Sequence, residues 1–458
     1  MIQKTFAALG FFSFSFMVSQ PAAAFCGFYV AKAEASLFNN ASQVVLARHD
    51  NKTVITMSND YQGELTEFAM VVPVPEVLKK EQIHIANQKD IDHLDAYTAP
   101  RLVEYFDKNP CNPPPLYEQR ALIGGGAKTK ESAPLPRSAK QLGVTIEASY
   151  TVGEYDILIL SAKESGGLVT WLEANDYKIP KNAGDVLESY IKQDTKFFVA
   201  KVNLEEQAKA GFTKLRPLSM AFETPKFMLP IRLGTVNANG PQDLIIYTLS
   251  PKGRVETTNY RTVKLPTGQE LPPYIKTEFK PFYKDMFATS VNKEDMKAVF
   301  LEYAWDMSWC DPCAADPLSK KQLVELGAFW ELAKETNTPP NRRVRLGNNL
   351  KTYVTRLHVR YTGEKFPDDL RFQDTGNREN FQSRYVLRHP YGGNDECAAM
   401  DNYRKRVQDR REKEMVTLAG LTGWDMDTIR PKGKLPFKPV DTPKPNPQLP
   451  WYKRIWGD

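Results

Sequence analysis

The sequence predicts an α+β fold that is rich in sheet, with mainly antiparallel strands and a few inserted helices. Many short apolar or alternating runs are bounded by Pro, Gly, Asn or Asp, which is typical of strands joined by turns. Only a few stretches carry apolar residues at helical spacing. Of the 458 residues, 41% are hydrophobic and 11% are aromatic, which is enough for one large core or two modest ones.

The first predicted element is a secretory signal peptide over residues 1–24. Lys4 precedes a mostly apolar run over residues 6–18, and the three alanines at 22–24 predict cleavage after Ala24. That run is too short for an ordinary transmembrane helix, and no later stretch has roughly eighteen apolar residues in succession. We therefore expect a soluble periplasmic or secreted protein, with no membrane span once the signal is removed.

A strand cluster is predicted over residues 25–107. The apolar segments 44–48 and 53–57 flank a polar turn and predict a hairpin. The segment 68–72 predicts a third, buried strand that ends at Pro73, because Pro73 and Pro75 have no backbone N–H to donate to a sheet. We expect these three strands to form one antiparallel meander.

Residues 108–140 change to Pro, Gly, Lys and Ser, which predicts a linker or a long excursion. Gly124-Gly125-Gly126 could suggest a phosphate-binding loop. That motif needs glycine immediately before its lysine, however, and Ala127 stands there instead. The expected compartment also lacks ATP, so the linker interpretation is favoured.

The main α+β region is predicted over residues 141–400. Helical spacing occurs over 167–174 and 183–192. A charged helical segment follows over 401–440, with helical spacing from about Met400 to Leu421 and interleaved opposite charges that favour an exposed helix with weak ion pairs. The tail is residues 441–458. Strands are predicted at 144–150, 155–160, 197–202, 227–233, 244–249 and 255–263.

Several of these segments carry a resemblance to a known family. They are Cys26, Phe68–Pro75, Tyr155–Ala162, Trp171-Leu172, Tyr177–Pro180, Phe197–Val202 and Phe227–Gly234. Over roughly residues 26–400 the chain resembles the bacterial and archaeal extracytoplasmic family catalogued as domain of unknown function 2330. The resemblance implies a secreted or periplasmic globular domain and implies no reaction.

Five cysteines follow the signal, which allows two disulfides and one leftover in the oxidising compartment that we expect; the candidates are Cys26, Cys111, Cys310 and Cys313. Cys26 and Cys111 bracket the first strand cluster, so we expect them to pair. A bridge across so long a loop stabilises a fold by roughly 4–5 kcal/mol in the chain-entropy model. Cys310 and Cys313 lie in the motif Trp-Cys-Asp-Pro-Cys and are expected to form a local structural disulfide.

The alternative for that motif is a redox-active dithiol, with Cys310 as nucleophile and Cys313 as resolving thiol. A reactive thiol of this kind is usually stabilised at a helix N-terminus. Asp316 and Pro317 predict that the next helix begins later, which leaves both cysteines in the preceding loop. A structural disulfide is therefore favoured over the redox-active pair.

Histidines give little sign of chemistry, because the five of them are scattered along the chain. His358 shares a strand face with Arg356 and Arg360, and we expect this basic face to be solvated, with a bound anion as the alternative. A zinc site from Cys310, Cys313, Cys397 and His389 lacks a second close pair of ligands, so no metal or other cofactor is predicted.

The net charge of +6 is small and spread along the chain, so no nucleic-acid partner is expected. The motifs of hydrolases, metalloproteases and EF-hand calcium sites are absent from the sequence. The interpretation that remains is a binding or scaffold protein of the cell envelope, acting on an unknown envelope protein or small ligand. The alternative from a different class is a thiol-disulfide oxidoreductase that uses Cys310 and Cys313.

Overall fold

Two β-sheets pack face to face, and helices cover their outer faces. The computed structural model describes residues 42–58, 69–112, 144–174, 183–203, 205–206, 215–236, 238, 240–309, 311, 316–332 and 350–438. It also describes the backbone of 22–23, 28–31, 38–39, 61–62 and 68. The predicted signal peptide and tail, and most of the predicted linker, lie outside these residues.

The first sheet is mixed. Its parallel pairs are β4 (Ser42–His49) with β15 (Gln242–Ser250) and β17 (Arg261–Lys264) with β19 (Ala298–Asp306). The remaining pairs along its main path are antiparallel. Across the sheet, the strands are β17 (Arg261–Lys264), β19 (Ala298–Asp306), β20 (Tyr353–Tyr361), β15 (Gln242–Ser250), β4 (Ser42–His49), β5 (Lys52–Ser58), β13 (Leu218–Glu223) and β8 (Ile83–Ile85). Two short strands extend it, since β1 (Ala22–Ala23) pairs with β15 and β22 (Phe381–Gln382) pairs with β19.

The second sheet is antiparallel throughout. Its order is β10 (Val144–Val152), β11 (Tyr155–Ala162), β12 (Lys196–Val202), β7 (Phe68–Val74) and β2 (Phe28–Ala31). Three smaller sheets complete the strands: β14 (Met228–Leu229) with β21 (Leu370–Asp374) and β16 (Val255–Thr257); β18 (Gln269–Leu271) with β23 (Arg384–His389) and β9 (Arg101–Phe106); and β3 (Phe38–Asn39) with β6 (Tyr61–Gln62).

The helices lie outside the paired sheets. They are α1 (Gln88–Thr98), α2 (Ser165–Ala174), α3 (Ala183–Ile191), α4 (Phe279–Lys293), α5 (Lys320–Glu325), α6 (Met400–Thr422) and α7 (Met426–Ile429). Short 3-10 helices span Lys80–Gln82, Arg232–Thr235, Pro273–Lys276 and Phe329–Leu332. The α+β, sheet-rich prediction is confirmed.

Strand β7 shows why its sequence is a continuous apolar run. Met70, Val72 and Val74 belong to the core between the two sheets, while Ala69 and Val71 belong to the core beneath α2 and α3. A strand buried on both faces needs apolar residues at every position. Burial of the first sheet is likewise two-sided: Val44 and Leu46 of β4 face the second sheet, and Val45 and Ala47 share a core cluster with α1 and α5.

Two details of the N-terminal prediction are wrong. The β4–β5 hairpin forms, but β7 does not continue it, because β7 pairs with β12 and β2 in the other sheet. The described part of β7 is buried as expected, yet the strand continues through Pro73 to Val74. Strand β2 pairs with β7 only as far as Val71. At Pro73, one side of β7 therefore has no strand partner among the described residues. The N–H that proline lacks is not needed for an inter-strand hydrogen bond on that side.

Further along the chain, the predicted strands at 144–150, 155–160, 197–202 and 244–249 form. The segment 227–233 is mostly not a strand, because only Met228–Leu229 pairs before a 3-10 helix begins at Arg232. The segment 255–263 divides into β16 and β17. The predicted domain boundaries stay predictions. Strands from 25–107 share both large sheets with strands from 141–400.

Candidate functional site

The disulfide that the structure contains joins Cys111 to Cys397, with 5.8 Å between the Cα atoms. The expected Cys26–Cys111 pair is therefore wrong. The prediction rested on Cys26 and Cys111 bracketing the first strand cluster in the sequence. In the structure, Cys111 follows β9, and β9 pairs with β23, the strand that precedes Cys397. Because Cys397 is in this disulfide, it is not available as a zinc ligand. Among the described residues, no three His, Cys, Asp or Glu side chains form a group that could hold a metal ion.

Cys26, Cys310 and Cys313 lie outside the described residues, so their predicted roles stay predictions. The helix that follows the Cys310–Cys313 motif begins at Lys320, with Ser319 as its N-cap, rather than at Asp316. Ser319 accepts a hydrogen bond from the backbone N–H of Gln322, and the Gln322 side chain completes a capping box. The residues that cap this helix therefore come six positions after Cys313.

The basic face of β20 is buried rather than solvated, which corrects the expectation for His358. Arg356 and His358 are 5% and 7% exposed. Arg356 Nε donates to Glu302 Oε2 at 2.6 Å, and its Nη1 donates to Asp95 Oδ1 at 2.7 Å. His358 Nδ1 lies 2.7 Å from the second Glu302 oxygen, and Arg360 pairs with Asp243. The face is therefore occupied by the protein's own carboxylates, and the bound-anion alternative is wrong.

Glu302 is the centre of this network and is fully buried. Burial alone would raise the pKa of Glu302, but His358 and Arg356 outweigh it, with help from the Tyr283 hydroxyl, and lower that pKa to about 2. The His358 ring stacks on Phe287 of α4, with 3.7 Å between ring centroids. Glu302 is fully buried and both of its oxygens are paired within the protein, so this network has a structural role.

A cleft at one end of the paired sheets is a better candidate for a functional site. Its first part, the apolar lobe, has a volume of about 230 Å3. Pro73 and Val74 of β7 line it together with Pro75, which follows the strand. Helix α3 contributes Tyr190, and the loop around β14 contributes Pro225 and Pro230. The remaining lining residues are Ile55, Gln193, Thr195, Phe222, Thr224, Lys226 and Met228.

A second part, the polar lobe, adjoins the first and has a volume of about 360 Å3. Gln193, Lys226 and Met228 line both lobes, so the two share a wall. Basic side chains enter the polar lobe from three different segments, at Lys226, Arg232 and Arg371. The other lining residues are Phe227, Thr258, Asp368, Asp369 and Phe372.

The wall between the lobes is held by a buried arginine. Arg48 of β4 donates to the carbonyl oxygen of Thr224 at 3.0 Å and to Thr53 Oγ1 at 2.7 Å. Its guanidinium also lies over the Phe227 ring, 5.1 Å from the centroid. Burial lowers the pKa of Arg48. Because the segment 224–227 is tied to a central strand in this way, the cleft is preformed rather than assembled by a free loop.

Asp369 fixes the far side of the cleft. Its Oδ1 accepts hydrogen bonds from the Tyr190 hydroxyl at 2.6 Å and from the backbone N–H groups of Ile231 and Arg232 at 3.0 and 3.2 Å. Burial raises the pKa of Asp369. The carboxylate is thus used to join α3, β14 and β21, and little of its charge is left for a ligand.

The cleft brings together two of the segments that carry the family resemblance, Phe68–Pro75 and Phe227–Gly234. The family model of an uncharacterised protein conserved in bacteria, domain of unknown function 2330, matches residues 20–373. The chain belongs to this family. Comparison with curated proteins and with solved structures finds no match.

All residues that line both lobes lie within the part of the chain that the domain of unknown function 2330 covers. Strand β23, helix α6 and Cys397 lie beyond residue 373. In the described part of the chain, no helix is both long and apolar enough to cross a membrane. Sequence reasoning singled out Pro73 and Pro75 but not Pro225. It could not place these prolines together, because Pro75 and Pro225 are far apart in the chain and meet only through the packing of the two sheets.

A third cavity, of about 360 Å3, lies between α6, which is beyond the family match, and β18, which is within it. Arg406, Arg410 and Lys413 line it together with Glu270, Asp409, Glu414 and Thr417. The prediction of an exposed helix is only partly right here, because Glu414 is 2% exposed. Burial, opposed by Arg411 and Arg410, raises the pKa of Glu414 to about 7. Neither Glu414 oxygen has a hydrogen-bond partner among the described residues, although Arg411 Nε lies 3.3 Å from Oε2 and Arg410 Nε lies 3.6 Å from Oε1.

Replacing Glu414 with glutamine should stabilise the protein at pH 8 by about 1–2 kcal/mol. A carboxyl whose pKa is raised from about 4.3 in the unfolded chain to about 7 contributes stability below pH 4, and that contribution is lost as the pH rises through 7. Glu414→Gln should remove this decrease in stability at high pH. Urea unfolding at pH 5 and pH 8 measures it, with the exposed Glu412→Gln as the control. An unchanged difference between the two pH values in Glu414→Gln would refute the assignment.

Proposed function

We propose that this protein is an extracytoplasmic binding protein of the cell envelope and that its ligand occupies the two-lobed cleft. The observation that carries the proposal is the shared wall of Gln193, Lys226 and Met228, which joins an apolar pocket to a basic one. Lobes of 230 and 360 Å3 together fall within the range of about 300–1,000 Å3 that is usual for ligand sites. A preformed cleft with a few convergent polar groups is typical of a binding site.

The location is part of the proposal and has its own support. Residues 1–24 have the layout of a signal peptide. The Cys111–Cys397 disulfide supports export, because disulfides persist in oxidising compartments and are rare in the cytosol. A scaffold that binds only through its outer surface would not need the cleft, so cleft occupancy separates a binding protein from a scaffold.

Filling the cleft should abolish ligand binding. Met228 is half-buried and lines both lobes, so Met228→Trp places an indole in the shared wall. The purified wild-type protein is incubated with a small-molecule extract of bacterial envelopes and examined by native mass spectrometry. We expect a bound mass on the wild type and none, or at most about a tenth as much, on Met228→Trp, because a steric block of this size costs more than ~1.4 kcal/mol.

Val416→Trp is the matched control, because Val416 is 56% exposed on α6 and lies outside the cleft. It should retain the bound mass. Circular dichroism and thermal melting show whether both variants are folded. Absence of a bound mass on the wild type, or equal retention by a folded Met228→Trp, would overturn the proposed function.

A further inference from the structure

We infer that the ligand of the cleft is a medium-chain alkyl or aryl carboxylate, with its apolar group in the apolar lobe and its carboxylate in the polar lobe. This inference rests on the proposed function and adds the chemical class of the ligand. It depends on three features of the cleft: its unpaired cations, its proline-rich apolar wall and its size.

The cations of the polar lobe are available to a ligand. The described partner of Lys226 Nζ is the neutral Gln193 Oε1, at 3.1 Å. Arg232 donates to the Ser189 hydroxyl at 2.7 Å. Neither these two side chains nor that of Arg371 forms an ion pair with a described residue. Arginine offers a planar pair of N–H donors that matches a carboxylate.

The charge balance of the lobe favours a single negative charge. Its cations are Lys226, Arg232 and Arg371, and its acids are Asp368 and Asp369. If all five are ionised, one positive charge is in excess. A ligand with one carboxylate balances this charge, whereas a phosphate dianion would leave the lobe negative. Asp368 is exposed and repels an anion, so it limits the affinity rather than preventing binding.

The apolar lobe favours an alkyl or aryl group over a peptide backbone. Four of its lining residues are prolines, at positions 73, 75, 225 and 230, and proline has no backbone N–H to donate. Ile55, Phe222 and Met228 add apolar surface. A peptide in this lobe would find no backbone N–H donors on these prolines, and each of its carbonyl groups that stayed unpaired would cost ~1–3 kcal/mol. An alkyl chain has no such requirement.

The size of the apolar lobe restricts the length of the chain. A lobe of 230 Å3 holds a group about the size of one large side chain or a medium-length alkyl chain. A long-chain fatty acid would project into solvent, which removes the benefit of about 0.8 kcal/mol that each buried CH2 group contributes. We therefore expect affinity to increase from hexanoate to decanoate and to stop increasing beyond dodecanoate.

Isothermal titration calorimetry of the full chain with sodium decanoate tests the inference. Decanoate should bind, and decylamine, with the same chain and the opposite charge, should not. The double variant Lys226→Gln with Arg371→Gln should bind decanoate at least about tenfold more weakly, because each charge-assisted hydrogen bond contributes about 1.5–3 kcal/mol. Asp368→Asn should bind it more tightly, by a few-fold. Arg384→Gln is the control, since Arg384 is exposed on β23 outside the cleft and should leave the affinity unchanged.

The results separate the two proposals. If Met228→Trp removes the bound mass but decanoate does not bind the wild type, the cleft is a binding site and the ligand class is wrong. Equal binding of decanoate and decylamine, or an unchanged affinity in the double variant, would also overturn the carboxylate. If a peptide with a C-terminal leucine displaces the bound mass and decanoate does not, the ligand is a peptide and the inference fails.

Discussion

Replacing Arg356 with methionine should lower the free energy of unfolding by about 3–5 kcal/mol. The reason is the carboxylate that this change would leave behind. Glu302 is fully buried, and Arg356 Nε is 2.6 Å from its Oε2. Without the guanidinium, one oxygen of a buried charge has no described partner, and Asp95 of α1 loses its ion pair with β20 but keeps the hydrogen bond from the Tyr247 hydroxyl of β15. Equilibrium unfolding in urea, followed by circular dichroism, measures the change.

Arg384→Met is the matched control, because Arg384 is an exposed strand residue whose side chain has no described partner. Its effect should stay within about 0.5 kcal/mol. Double replacement of Glu302 with leucine and Arg356 with methionine should recover part of the loss, because it removes the buried charge together with its partner. A loss below about 1 kcal/mol in Arg356→Met would show that the network contributes little to stability.

The same network predicts the acid limit of the fold. The pKa of Glu302 is lowered to about 2, below the value of about 4.3 in an unfolded chain. Its contribution is therefore fully present above pH 4 to 5 and is lost as the pH falls through 2. Arg356→Met reduces the difference between the folded and unfolded pKa of Glu302, so its stability should depend less on pH in this range than that of the wild type.

Reduction of the Cys111–Cys397 disulfide should destabilise the protein by about 5–6 kcal/mol in the chain-entropy model. The two cysteines are separated by 286 residues, so the bridge removes many conformations from the unfolded chain. In the native state it joins the segment after β9 to the segment before α6. Thermal unfolding with and without dithiothreitol measures the effect, and a decrease of about six degrees is expected.

Reduced wild-type protein retains both sulfur atoms, so it serves as the control for the packing changes that serine would introduce. Cys111→Ser with Cys397→Ser should unfold at a temperature close to that of the reduced wild type and should no longer respond strongly to dithiothreitol. A non-reducing peptide map checks the pairing directly. A peptide that joins Cys26 to Cys111 would contradict the bridge, as would equal melting temperatures of the oxidised and reduced wild type.

Local sequence patterns predicted where strands and helices form better than they predicted which strands pair and which side chains meet. The apolar run of β7 identified a buried strand, but nothing within residues 68–74 distinguishes pairing with β5 from pairing with β12. The sequence did not reveal that the basic face of His358 and Arg356 is buried. Its partner Glu302 lies on a different strand and is 54 residues from Arg356. The sequence did contain a signal for a buried ion network, because several charged residues share one face of an otherwise apolar strand.

The candidate cleft could be predicted in its parts but not as a site. Pro73 and Pro75 marked the end of a strand, and Phe227–Gly234 carried the family resemblance. Their meeting depends on the packing of one sheet against the other and on Arg48, which holds the segment 224–227 from a third position in the chain. Contacts of this kind are set by tertiary structure, so no short sequence window contains them.

The bond between Cys111 and Cys397 also orders the steps by which the chain matures. Under the proposed export, the N-terminal part emerges first, so Cys26 and Cys111 would meet an oxidising environment long before Cys397. Cys310 and Cys313 also come out ahead of the native partner. Oxidation in order of appearance therefore favours the wrong bond, which must then be exchanged through a mixed disulfide. Under the proposed export, we therefore expect the yield of the native fold to depend on an isomerase more than on an oxidant.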